Sequence, residues 1–257
     1  MKKNAFLIIN ADDFGYNDSV NRAIALALKE RWCSSATLMA NMPGFEAACE
    51  IAQQNKFAPH VGIHVNLTEG QPLTDPIKHC PRICNADGQF IEHGRKKLFR
   101  VSAAEHSALI KEVSAQIERC RKHGIPLSHA DSHQHVHTEW AVGRILATLA
   151  KQYSIRHVRL SRARDKNSSL LKSAYRHCFN GMLQWEHLAA TDEFGTVDDL
   201  LTRQQIMPAP IGSFEVMIHP ALSPNGELVD HVTKQTLSTM VEQIRGFAGA
   251  VSYSQIP

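Results

Sequence analysis

A chain of 257 residues suits one large α/β domain or two small ones, and is long enough to enclose a real core. Hydrophobic content of 43% and charged content of 21% are those of an ordinary globular protein. The balance of 28 basic against 25 acidic residues, a net of +3, excludes an electrostatic case for nucleic acid or an anionic membrane, and no apolar run is long enough to span a bilayer.

The first element expected is a buried strand over Ala5 to Asn10, short, β-branched and ended by polar residues. A helix over about Asn17 to Arg31 follows, with Asn17 or Asp18 as its cap and Val20, Ile24, Ala27 and Leu28 on its apolar face. A second strand covers Ala36 to Ala40, a helix follows Pro43, and a third strand covers Val61 to Leu67 with His64 in its far half. Residues from about Thr68 to Val101 are punctuated by glycine and proline and read as a long irregular insertion, more often a functional cover than a neutral link. Within it, Arg95, Lys96 and Lys97 with Arg100 read as a solvated basic face. A long helix is expected over Ala103 to His123, ended by Gly124 and Pro126. A short strand from Leu127, a helix over Trp140 to Gln152 and a strand over Arg156 to Leu160 come next. Helix then reaches about Phe179, strand is assigned to Leu183 to Leu188, and helix to Thr196 to Ile206 with Thr196 as cap. Ser213 to Ile218 is a strand leading into His219, His231 to Phe247 is the last helix, and Val251 to Tyr253 closes the pattern.

Seven or eight strand–helix units without an internal boundary predict a single parallel α/β domain over 1–257, best matched by a distorted (β/α) barrel, with an open doubly wound sheet as the alternative. Only Gly15 stands where a dinucleotide-binding loop would need several glycines. The six cysteines, Cys33, Cys49, Cys80, Cys84, Cys120 and Cys178, are scattered, and the apolar run after Lys2 and Lys3 is too short for a signal peptide, so free thiols and a cytoplasmic location are expected. Cys80 and Cys84 have no second pair to complete a zinc knuckle.

The most concentrated chemistry lies in His129 to His137 (HADSHQHVH), four histidines and one aspartate at odd positions. An extended backbone would aim all five one way, and a divalent metal or a catalytic site is the usual reason to gather such groups. The ends of other strands are equally polar: Asp12 and Asp13 after the first, His64 and Asn66 in the third, Arg159 near a later one, His219 after the penultimate. Active sites of parallel barrels are built at these carboxyl ends. The adjacent Asp12 and Asp13 diverge, so one can bind a metal while the other takes a proton; they can equally end a strand and cap a helix.

Asn10 to Gly15 (NADDFG), Val61 to Leu67 (VGIHVNL), His129 to His137 and Glu215 to Pro220 (EVMIHP) together resemble the YdjC family of carbohydrate deacetylases, in order and over nearly the whole chain. The resemblance implies a distorted (β/α) barrel related to other metal-dependent polysaccharide deacetylases. It also implies one divalent ion (Mg2+ or Zn2+) held by Asp13, His64 and His133, with Asp12 as general base and His219 as general acid, and it implies a homodimer. Two imidazoles and one carboxylate suit zinc, manganese or iron(II) better than magnesium. Asp131 is expected to orient His219 or another imidazole, as carboxylates near metal sites commonly do. Asn66 would position substrate or the metal's surroundings. His135 and His137 are either substrate contacts or a solvated loop pair, and Arg159 either a substrate contact or a barrel-closing salt bridge. Gln134 stands where some members carry a histidine, and about Asp165 to Asp192 has no alignable motif.

The expected reaction is removal of acetyl groups from N-acetylated sugars or short, chito-oligosaccharide-like saccharides, with no nucleic acid and no membrane as partner. Two other readings compete: a metal-dependent amidohydrolase or phosphoesterase, and a sugar-binding protein without catalysis. The absence of a basic cluster at the motif positions weighs against phosphate work, and the presence of both Asp12 and His219 beside a metal triad weighs against a mere binder.

Overall fold

The computed structural model describes residues 6–91, 98–162, 169–206, 212–244 and 250–256. Its elements in chain order are β1 (Phe6–Phe14), α1 (Asp18–Lys29), β2 (Ser35–Leu38), α2 (Phe45–Gln54), β3 (Val61–Val65), α3 (Asp75–Lys78), α4 (Ala103–Lys122), β4 (His129–Ser132), α5 (Trp140–Gln152), β5 (His157–Val158), α6 (Leu170–Trp185), β6 (Glu193–Gly195), α7 (Val197–Ile206), β7 (Ser213–Ile218), β8 (Pro220–Leu222), β9 (Leu228–Asp230) and α8 (Leu237–Ile244). Seven strands form one sheet in the order β5-β4-β3-β2-β1-β7-β6, each pair parallel.

The sheet curls into an open half-barrel. Laid flat, β5 and β7 would be about 24 Å apart, five strand spacings of about 4.8 Å. Yet Arg159, just past β5, places its Nε 2.7 Å from Glu215 Oε1 on β7. Only a strongly curved sheet brings these two strands within one side chain of each other, so the distorted barrel holds and the flat doubly wound alternative does not. The strands read as apolar runs because both faces are covered: β1 buries Leu7, Ile8, Ile9 and Ala11, while Ile24, Ala27 and Leu28 of α1 pack into the same core.

Local signals explain most helix ends. The Asn17 side chain accepts a hydrogen bond from the Val20 backbone N–H, and Ser102 with Glu105 forms a reciprocal capping box at α4. Thr196 Oγ1 accepts from the Asp199 N–H ahead of α7. Among its described residues the Thr68–Val101 stretch is irregular apart from α3 and an isolated bridge between Cys84 and Phe90; residues 92–97, with Arg95, Lys96 and Lys97, lie outside the described residues.

Two expected elements are corrected. Leu183 to Leu188 is not a strand: α6 continues to Trp185, because Phe179 and Leu183 are one helical turn apart and both fully buried. The strand comes later, at Glu193–Gly195. The last helix does not begin at His231. Asp230 ends the β8–β9 hairpin and its Oδ1 accepts from the N–H groups of Val232 and Thr233, holding a turn that delays α8 to Leu237. Phe247 lies outside the described residues.

Gly62 sits where β3 runs tightly beside β4. A Cβ there would lie 2.5 Å from both the ring Nδ1 and the backbone oxygen of His129. The backbone oxygen cannot move without parting the strands, so Gly62→Ala should lower stability by about 1–3 kcal/mol, read as a reduced denaturation midpoint at unchanged urea slope.

Candidate active site and metal centre

The carboxyl ends of β1, β3, β4 and β7 converge on one cavity of about 430 Å3, lined by Asp12, Asp13, Tyr16, Glu69, His133 and His219 among others. A break in the β1–β2 register between Ala11 and Phe14 sets up its floor. Asp13 there has φ of +70°, a left-handed conformation a non-glycine residue rarely adopts. The irregularity turns the two neighbouring carboxylates to separate tasks within the cavity: Asp12 is buried in its wall, while Asp13 is partly exposed.

Asp13 Oδ1 lies 3.2 Å from His64 Nε2 and 2.9 Å from His133 Nδ1. These three donors are close enough to share an ion. Each imidazole has a carboxylate at its other nitrogen: His64 Nδ1 is 2.6 Å from Asp131 Oδ1, and His133 Nε2 is 3.2 Å from Glu69 Oε2. Burial opposes charge on His64, but Asp131, Asp13 and Asp12 outweigh it and push its pKa up to about 10. The carboxylates thus create a strong demand for positive charge at this point, which a divalent cation would meet.

Arg159 is fully buried and binds three carboxylates. Its Nη1 is 2.7 Å from Asp12 Oδ2 and 2.6 Å from Asp131 Oδ2, Nη2 is 2.7 Å from Asp12 Oδ1, and Nε meets Glu215. Burial alone would raise the Asp12 carboxyl; the Arg159 charge and hydrogen bonds, with His64 and His219, instead hold it well below the usual range. Glu215 shows the opposite balance. Burial outweighs Arg159 and the hydrogen bond from the Tyr253 hydroxyl, and pushes it up to about 7. Across the cavity, His219 Nε2 is 4.0 Å from Asp12 Oδ2, and its Nδ1 is 3.8 Å from Asp230 Oδ2. Burial disfavours the His219 charge, yet Asp230, Asp12 and Asp13 together raise its pKa.

The pattern of the YdjC-like protein family matches residues 6–245. The chain belongs to the YdjC-like family. A carbohydrate deacetylase of Brevibacillus brevis is 34% identical over 220 residues, covering 84% of this chain and 81% of the relative. One of Halalkalibacterium halodurans is 27% identical over 244 residues, covering 94% and 93%. A crystal structure from Enterococcus faecalis V583, of a protein named for cellobiose-phosphate cleavage, superposes with a TM-score of 0.71 at 22% identity over 97% of this chain and 98% of that one, a likeness of fold.

Within this YdjC-like fold some sequence expectations change, and for others one of the alternatives is realised. The row from His129 to His137 does not stay extended. Its strand ends at Ser132, and Gln134 and His135 take left-handed angles (φ 50° and 56°) that turn the chain back over the cavity. The five groups therefore part company. His129 is a buried strut, its Nε2 3.0 Å from Asn10 Oδ1 and its ring stacked on Tyr253. His135 rests edge-on against Phe194, and His137 is buried with Nδ1 2.6 Å from Ser132 Oγ; neither lines the cavity, and His137 is no solvated loop residue. Of the two roles expected of Asp131, the structure takes the other imidazole, since Asp131 meets His64 while His219 is paired with Asp230. Arg159 has no surface to offer a substrate and is the barrel-bridging ion pair. Asn66 acts at one remove: its Oδ1 accepts from the N–H groups of Thr68 and Glu69, and its Nδ2 donates to the Glu69 carbonyl, fixing the loop that carries Glu69.

Glu69, Asp230 and Glu215 gained no role from sequence reasoning. Glu69 lies two residues past the third-strand motif, and Glu215 opens the EVMIHP string, so both were within reach. Asp230 sits in a hairpin with no periodic or motif signal. Arg159→Met would leave three buried carboxylates without their shared cation, so folding stability should fall by about 3–5 kcal/mol, measured by chemical denaturation.

Proposed function

We propose that this protein is a metal-dependent carbohydrate deacetylase that hydrolyses the acetamide of small N-acetylated saccharides, of the chito-oligosaccharide kind, to acetate and a free amine. The observation that carries the reading is the convergence of Asp13, His64 and His133 on one point beside Asp12 and His219. Asp13, His64 and His133 would hold one divalent cation, and the mixed nitrogen and oxygen donor set fits zinc or another transition ion better than magnesium. Such an ion supplies Lewis acidity toward a water and the acetyl carbonyl.

The chain's own groups supply the proton transfers. Arg159 keeps Asp12 ionised and oriented, so it accepts the proton of the attacking water. As the C–N bond breaks, His219 gives its proton to the departing sugar nitrogen. Against the burial that opposes its charge, Asp230 raises the His219 pKa and favours the protonated form that an acid catalyst requires. A cavity of about 430 Å3 is of the size that small ligands occupy. No lysine or arginine lines it among the described residues, which disfavours a phosphoesterase. The paired acid and base disfavour a purely binding role.

The setting follows the same reading. All six cysteines are free, as a reducing cytoplasm allows, and among the described residues no helix is long and apolar enough to cross a membrane. A homodimer would cover the apolar face that α6 presents at Leu170, Leu171 and Trp185, each more than 80% exposed.

Acetate release from diacetylchitobiose should be abolished by a chelator and restored by added zinc or another divalent ion; release unaffected by chelation would refute metal dependence. Asp12→Asn should keep cation affinity yet lose about 10²–10⁴-fold in kcat, and a full rate would remove Asp12 from the base role. Asp230→Asn withdraws a charge that raises the His219 pKa. The alkaline limb of kcat, where His219 loses its proton, should therefore move to lower pH, and a limb that stays in place would place the acid elsewhere.

A further inference from the structure

We propose that Glu69 is a positioning residue of the cation site, holding His133 in the tautomer that carries its proton on Nε2 and keeps the Nδ1 lone pair for the ion. The inference rests on the metal-site reading above. A neutral imidazole has one N–H and one lone pair. The carboxylate of Glu69 can only accept, and it meets His133 at Nε2, 3.2 Å away; with the Nδ1 lone pair given to the ion, the proton belongs on Nε2. The other nitrogen, Nδ1, faces Asp13 Oδ1 at 2.9 Å. Glu69 stands outside the cluster of donors that could hold the ion and on the far side of the ring.

The surrounding structure treats Glu69 as a fixed part. Its second carboxylate oxygen accepts from the Tyr16 hydroxyl at 2.6 Å. Its backbone is held at both ends of the peptide: Asn66 Oδ1 accepts from its N–H at 3.1 Å, and its carbonyl receives Asn66 Nδ2 at 2.8 Å and Asn41 Nδ2 at 3.2 Å. A residue that merely covered the surface would not have its side chain anchored by Tyr16 and its backbone by Asn41 and Asn66. The arrangement repeats at the neighbouring ligand, where Asp131 meets His64 Nδ1 and leaves Nε2 toward Asp13. The two pairs differ in setting. Asp131 is fully buried, whereas the Glu69 side chain is 28% exposed on the cavity wall. Asp131 is locked by Arg159, and Glu69 only by hydrogen bonds. His133 is therefore the ligand whose geometry depends on one exchangeable contact.

The test is titration of the apo full-length chain with Zn2+ by calorimetry, on wild type, Glu69→Ala and Glu69→Gln. Glu69→Ala should weaken Zn2+ binding by about 10–100-fold. Glu69→Gln should recover most of it, because the amide can turn its oxygen to His133 and its NH2 to the Tyr16 oxygen. The imidazole nitrogen signals of His133 in the zinc-loaded protein give a readout that a general loss of fold would not mimic: one sharp Nε2–H tautomer in wild type and Gln, lost or broadened in Ala. Wild-type affinity in Glu69→Ala, or equal weakening by Ala and Gln, overturns the assignment while leaving the metal site standing. Absence of Zn2+ binding by wild type itself removes the metal site and this inference with it.

Discussion

One buried guanidinium organises this molecule. Arg159 joins β5 to β1, β4 and β7 through Asp12, Asp131 and Glu215, and its plane lies 4.8 Å from the Phe194 ring on β6. A charge so placed would be ruinous alone; set among three carboxylates, each of its three nitrogens has a carboxylate partner. The price of that arrangement is an excess of negative charge, three carboxylates to one cation. The surplus shows at the neighbouring His64, which Asp131, Asp13 and Asp12 push up to about 10 against the cost of burial. The barrel's curvature and the site's appetite for a cation thus have one source.

The ends of the strands were legible because chemistry and periodicity coincide there. Asp12 and Asp13 interrupt an apolar strand, His64 sits in another, and each falls at the carboxyl end of a parallel element. What stayed hidden was partnership. Nothing in the order of residues says that Asp131 serves His64, since the pairing is set by the β3–β4 register, which puts those two side by side. Asp230 was invisible for a different reason: its role arises from a hairpin of three-residue strands, too short to leave a pattern. The Leu183 error came from a run of apolar residues that strand and helix explain equally well; only the burial of Phe179 and Leu183 on one helical face separates them.

Three of the nine left-handed non-glycine residues among the described residues lie at the site. Asp13, Gln134 and His135 all adopt left-handed angles without being glycine. Asp13 does so in a strand, and the other two within the turn that follows β4. Straight continuation of β1 and β4 would alternate side chains to opposite faces, leaving either Asp12 or Asp13 out of the cavity and carrying His133 past it. Left-handed residues cost about 1–3 kcal/mol each, and they persist here because the hydrogen bonds of Asp13 to His133, and of Ser132 to the His137 N–H and ring, hold the turn from both sides.

The same geometry argues for one cation rather than two. A second trio of donors, Asp12, His64 and Asp131, also lies close enough to share an ion. Its centre is already served by Arg159, whose Nη1 touches both aspartates, and His64 turns only one nitrogen to each carboxylate neighbour. The guanidinium therefore does in the buried half of the site what a second metal would do, neutralising Asp12 and Asp131 while remaining covalently fixed. On the proposed reading, that leaves the exposed half, Asp13 with His64 and His133, as the place where an exchangeable ion and a substrate would meet, with Asp12, bound to a charge that cannot leave, handling protons rather than metal.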